Sequence, residues 1–238
     1  MTKAGLTVDD LKYDPVAALT ASSSNASAAK VLQTGQSLLT LISNTTAIVT
    51  AANSKTDPKN ITDPLDAMKQ VMSAVGTLAS ADSTTSIKSI LSSQALSTKV
   101  IESALTASGV TDTTQYSDLI TAASTSIANV NTQLMNLTTA QLAAGDNLAY
   151  AAVGQTVLLD AIKQAMTTGT TAGYSNLAAK FEAASINVLV ATQKARIAFN
   201  SADSSGITTG SDSVTITAAS AANPSQTALA KVLANDSA

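Results

Sequence analysis

Histidine, cysteine and tryptophan are missing from all 238 residues, and aromatic side chains are limited to two Phe and four Tyr. Glu102 and Glu182 are the only glutamates among sixteen acidic residues, and Arg196 is the single arginine. Each shortage removes a chemistry. Without histidine, a nucleophilic triad has no ordinary general base. Without cysteine there are no disulfides and no thiolate metal sites. A Ser–Lys pair remains conceivable near Lys88, Ser89, Ser92 and Ser93. Serine is so frequent that any lysine lies near one, and this stretch reads as a solvated helix face. Glu102 and Glu182 fall on different predicted helices with no aromatic platform nearby, which does not suit glycoside hydrolysis. The ten glycines are dispersed, with no phosphate loop or dinucleotide fingerprint. The expectation is a protein that is not an enzyme.

Charge is the next shortage. Charged residues make up 12% of the chain, against roughly a quarter in typical globular proteins. Thirteen basic and sixteen acidic residues give a net charge of −3, and the lysines are scattered singly. Nucleic acids and anionic membranes both require a concentrated positive field, so neither is an expected partner. Hydrophobic residues at 45% with so little net charge indicate a folded chain, of a length suited to one or two domains. Residues 32–52 form the most apolar stretch, but Gln33, Gln36, Ser43, Asn44, Thr45 and Thr46 interrupt it too often for a bilayer span. Residues 1–10 lack the apolar core of a secretory signal.

Alanine, serine and threonine fill the space. Apolar residues recur at three- and four-residue spacing nearly throughout, which predicts helices. Asp14-Pro15 and Asp63-Pro64 each pair an N-cap with a proline at the first helical position. A long helix is expected from Asn25 to about Ala52, with Val31, Leu32, Leu38, Leu39, Ile42, Ile48 and Val49 on its apolar face. The next helix should bury Leu65, Met68, Val71, Met72, Val75 and Leu78. Asp82 and Ser83 read as a further cap, Ser97 or Thr98 as a restart, and Gly109 as a stop. Asp112 to Thr114 and then Thr138 open later helices, the second ending at Gly169, and a sixth segment runs from Tyr174 through Phe199. Leu148 and Val188 belong to the apolar positions of these last two. Abundant alanine lets helix axes approach closely. The expected fold is all-α: an elongated bundle of about six helices over residues 1–200. Residues 201–238 then form a link and a short terminal helix from Pro224.

In that link, glycines punctuate two β-favouring runs, Ile207–Thr209 and Val214–Thr217, which read as a short β-like excursion within 203–218. Ile207, Val214 and Ile216 are its candidate interface residues. Calcium is the one metal that the composition suits, because Asp, Asn, Ser and Thr supply oxygen ligands. Asp57, Asp63 and Asp66, with Asn60, recur every three residues across a loop and a helix start; Asp203, Ser205 and Asp212 bracket the glycine-rich link. The competing reading makes Asp57 a turn former, Asp63 an N-cap and Asp66 a partner of the helix dipole. Asp146 and Asp160 are expected in mid-helix, solvated or bonded locally.

The stretch YDPVAALTASSSNASAAKVLQTGQSLLTLISNTTAIVTAA (Tyr13 to Ala52) resembles helical segments of very large exported bacterial surface proteins. These include adhesins with RTX or cadherin-like repeats, S-layer components and biofilm-matrix proteins. TDPLDAMKQVMSAV and the closing VLANDSA are similar in texture. No G-G-x-G-x-D repeat occurs, so the calcium sites of such repeats are not implied. The resemblance implies an extracellular or cell-surface location, reached without a recognisable N-terminal signal peptide. With the weak charge, it leads to an expected structural or adhesive module that packs against copies of itself or neighbouring modules. A helical coat subunit, intracellular or viral, and a small-molecule-binding helical module are the alternatives.

Overall fold

A computed structural model of the chain describes Leu6, Lys12 and residues 14–56, 63–81, 86–201, 207–210 and 213–216. The fold is all-α. Helix α1 (Pro15–Ala21) starts at Asp14, whose carboxylate accepts the backbone N–H groups of Val16 and Ala17 at 2.8 and 3.3 Å. Asn25 then accepts the Ala28 N–H at 3.0 Å and opens α2 (Ala26–Thr56). Asp63 repeats the device for α3 (Pro64–Ala81), accepting the Leu65 N–H at 2.9 Å.

Ser86 caps α4 (Ile87–Ser92), and Ser93 in extended conformation separates it from α5 (Gln94–Ala107). That break comes four residues earlier than Ser97. The Ser93 hydroxyl accepts the Leu96 N–H and caps the new helix, whereas Ser97 is buried and donates back to the Ile90 carbonyl at 3.2 Å. Asp82 and Ser83 lie outside the described residues. Gly109, at φ 94°, lets the chain turn away after α5. A 3-10 turn (Thr114–Tyr116) precedes α6 (Ser117–Met135).

Thr138 and Gln141 form a reciprocal capping box for α7 (Thr139–Ala143). Next come α8 (Asp146–Ala152), one π-helical turn (Val153–Val157) and α9 (Leu158–Thr168), which ends on left-handed Gly169. Helices α10 (Thr171–Lys180) and α11 (Ala183–Ser201) follow. Strands β1 (Ile207–Gly210) and β2 (Ser213–Ile216) pair antiparallel, with Ile207 opposite Ile216 and Thr209 opposite Val214. The terminal helix expected from Pro224 lies outside the described residues.

Helix α2, with 31 residues, is roughly 46 Å long and packs against α3, α5, α6 and α9. Its buried Leu41, Ile42, Ile48 and Val49 join Val71, Ile101, Ile127, Leu158, Phe181 and others in one core that reaches Val190. A smaller cluster of Leu19, Ala28, Ala29, Leu134, Leu137 and Leu142 fastens α1 and α7 to the other end of α2. Several expected core positions face outward instead: Leu39, Leu65, Met72, Leu148 and Val188 are all more than half exposed. On α3 and α8 alanine takes the inward positions. Ala67, Ala74, Ala79 and Ala149 are buried, and Leu65, Met72 and Leu148 are turned to the outside. Leu41, absent from the expected stripe, is fully buried.

Candidate functional site

A helix leaves its last carbonyls without intrahelical donors, and burying such an end requires donors from elsewhere. This bundle buries several helix ends and satisfies them with carboxamides and hydroxyls. At the end of α4, the carbonyls of Ile90, Leu91 and Ser92 accept from Ser97 Oγ (3.2 Å), Asn131 Nδ2 (2.9 Å) and Thr132 Oγ1 (3.5 Å). At the end of α6, Gln33 Nε2 of α2 reaches the carbonyls of Leu134, Met135 and Leu137 at 3.4, 3.1 and 2.8 Å. Asn129 donates to the Phe181 carbonyl at 3.0 Å, just past α10. Asn44 donates to Thr40 and to Gly154, linking α2 to the π-helical turn at 2.7 and 2.9 Å. Asn131 also reaches the Ser37 carbonyl at 3.2 Å, so one amide joins α2, α4 and α6.

In the sequence Gln33 and Asn44 stand out only as interruptions of an apolar stretch, and the tying role of the four amides is not legible there. Asparagine is a poor helix former, and Asn131 lies inside a helix beside Val130 and Leu134. That mismatch between propensity and position was the available signal.

The proposed calcium ligands have other engagements where the structure describes them. Asp63 caps α3, and Asp66 pairs with Lys69 at 2.8 Å. The Asp66 carboxylate, by hydrogen bond and then by charge, raises the Lys69 ammonium above its ordinary pKa. Asp57, Asp203, Ser205 and Asp212 lie outside the described residues. Among the described residues no three His, Cys, Asp or Glu side chains gather. Asp146 stands in the first turn of α8, not mid-helix, and its carboxylate meets Lys194 of α11 at 2.9 Å. Gly145, in left-handed conformation, starts a new helix there and so places Asp146 at a terminus. Asp160 belongs to the first turn of α9 and is exposed. Glu102 and Glu182, on α5 and between α10 and α11, are exposed.

One groove of about 460 Å³ opens between α2, α9 and the start of α3. Ser43, Thr46, Ala47, Thr50 and Ala51 form its α2 wall, Leu159 and Lys163 its α9 wall, and Pro64 closes it. A smaller cleft of about 240 Å³ between α6 and α10 is lined by Asp118, Thr121, Thr125, Tyr174 and Ser175, among others. Burial, and secondarily the charge of Tyr174, raises the pKa of Tyr116, whose hydroxyl donates to the Ala52 carbonyl at 3.4 Å. No helix among the described residues is long and apolar enough to cross a membrane. No protein-family model matches the chain, and no match appears among curated proteins or solved structures.

Proposed function

We propose that the protein is a non-enzymatic structural or adhesive module of a bacterial extracellular or cell-surface assembly, acting through self-association or packing on neighbouring modules. The observation that carries this reading is how the buried polar groups are used. Ser97, Asn44, Asn129, Asn131 and Gln33 tie helices to one another through backbone carbonyls. Such ties make stiff rods without buried ions. They leave an exterior of hydroxyls and amides with little long-range repulsion between copies.

In this reading α2, α3, α4–α5, α6, α7–α9 and α10–α11 act as six rods of an elongated bundle over residues 1–200. Strands β1 and β2 form the β excursion that follows it. Strands β1 and β2 pair only with each other among the described residues, and an isolated two-stranded ladder is marginal in water. Ile207, Val214 and Ile216 would gain from a partner strand, because each strand carries an unpaired outer edge. Calcium, bound by Asp57, Asp63 and Asp66, would then modulate packing at the start of α3.

The test is sedimentation and electron microscopy of the purified chain, from micromolar to millimolar concentration, with and without calcium. Ordered arrays, fibres or concentration-dependent oligomers are expected. A monomer at every concentration, indifferent to calcium, refutes the assembly reading.

A further inference from the structure

We propose that the groove between α2, α9 and the start of α3 binds a small amphipathic carboxylate, with its apolar chain between the helices and its carboxylate on Lys163. This inference stands apart from the assembly reading. It begins with spacing. Ser43, Thr46, Ala47, Thr50 and Ala51 share one face of α2, and Leu159 and Lys163 are one turn apart on α9. Alanine at 47 and 51 hollows out the seam where larger side chains would have joined the two helices. The resulting space, about 460 Å³, falls in the size range of small-molecule sites, and such sites are mostly apolar with a few placed polar groups.

The one charge of the lining, Lys163, lies at one end. Asn44 reaches Gly154, and the groove joins residues 43–51 to Leu159 and Lys163, so the two helices run in the same direction here. Lys163 therefore lies toward Thr50, Ala51 and Pro64. It is exposed and forms no ion pair among the described residues. The acids at the start of α3 do not neutralise it: Asp63 caps its own helix and Asp66 holds Lys69. The Thr46 and Thr50 hydroxyl oxygens are buried without a hydrogen-bond partner. Threonine in a helix has two accessible side-chain rotamers, so a rotation can present either hydroxyl to a ligand oxygen. One cation, two unused hydroxyls and walls of alanine, proline and leucine match an alkyl carboxylate. They match a bare phosphate or a sugar poorly, and they repel an amine.

Decanoate titrated into the ¹⁵N-labelled full chain tests the assignment. Saturable shifts confined to residues 43–51, 63–66 and 159–163 are expected, with a dissociation constant in the millimolar range or tighter. Lys163→Gln, an exposed substitution, should weaken binding about tenfold, and decanol should bind the unaltered chain correspondingly less well. Lys88→Gln, outside the groove, should change nothing. Scattered unsaturable shifts, or equal affinity in the Lys163→Gln variant, overturn the proposal. Oligomerisation would instead appear as general line broadening without decanoate, so the two readings fail separately.

Discussion

Replacing Gly154 with alanine asks whether the crossing of α2 with the π-helical turn is as close as the structure draws it. A methyl at this position would stand 2.6 Å from Thr40 Oγ1, 2.9 Å from Thr40 Cγ2 and 3.1 Å from Val130 Cγ1. Thr40 has little room to yield. It is fully buried, its hydroxyl donates to the Gln36 carbonyl at 3.1 Å, and its own carbonyl accepts from Asn44. Overpacking of this kind destabilises by about 1–3 kcal/mol, and alanine in a helix offsets roughly 0.5–1 kcal/mol of that. The net expectation is a loss centred near 1 kcal/mol and no larger than about 2.5 kcal/mol, or roughly 2–4 °C in Tm at the centre for a protein of this size. Circular dichroism at rising temperature and in urea measures it. Gly35→Ala and Gly76→Ala supply the contrast, because an added methyl there meets nothing within 4 Å. Each should stabilise by about 0.5–1 kcal/mol. Thr40→Ala should rescue Gly154→Ala, with a coupling of about 1 kcal/mol in the double-mutant cycle. If Gly154→Ala equals or exceeds the parent in stability, the crossing has room for a methyl and the overpacking argument is refuted.

Asn131→Leu keeps the approximate volume but removes the donor shared by the Ser37 and Leu91 carbonyls. It should cost about 1–3 kcal/mol and speed amide exchange in α4 more than in α3; uniform exchange across both helices would contradict the bridging role. Tyr116 gives a pH prediction. Burial raises its folded-state pKa above the unfolded value near 10. The stabilising contribution is therefore complete below about pH 10 and is lost as pH climbs through the raised value. Thermal unfolding from pH 8 to 12 should show a steeper alkaline decline in the parent than in Tyr116→Phe, and superimposed profiles would refute it.

Helix starts were legible in the sequence because their signals are local. Asp14-Pro15, Asp63-Pro64 and Thr138 all cap helices as their residue types require. Which face of a helix turns inward was less legible. The usual rule places the larger apolar side chain inside, yet on α3 Ala67 and Ala74 are buried while Leu65 and Met72 are exposed. The rule fails when alanine sets the interhelical distance, since only long-range packing then decides which stripe is inside. The groove was illegible for a related reason: its wall joins residues 43–51 to Leu159 and Lys163, more than a hundred positions apart. The restart expected at Ser97 or Thr98 falls four or five residues late, because Ser93 and Ser97 are equally good caps on paper. Burial of Ser97 against Ile90 distinguishes them only in three dimensions.

The excess of aspartate over glutamate has a source in the helix starts. Asp14 and Asp63 are N-caps, and Asp112 accepts both the N–H and the hydroxyl of Thr114 before the 3-10 turn into α6. Those bonds favour the charged form, the hydroxyl contributing most, and hold the Asp112 carboxyl below its ordinary pKa. Asp66, Asp118 and Asp146 stand in first turns, where a negative charge complements the helix dipole. A short carboxylate reaches these N–H groups, and a longer glutamate side chain does so less readily, so a chain with many short helices favours aspartate. Abundance of aspartate therefore carries no separate weight for calcium. A calcium role needs Asp57 to join Asp63 and Asp66, with Asp63 leaving the Leu65 N–H or binding through its second oxygen, and Asp66 releasing Lys69.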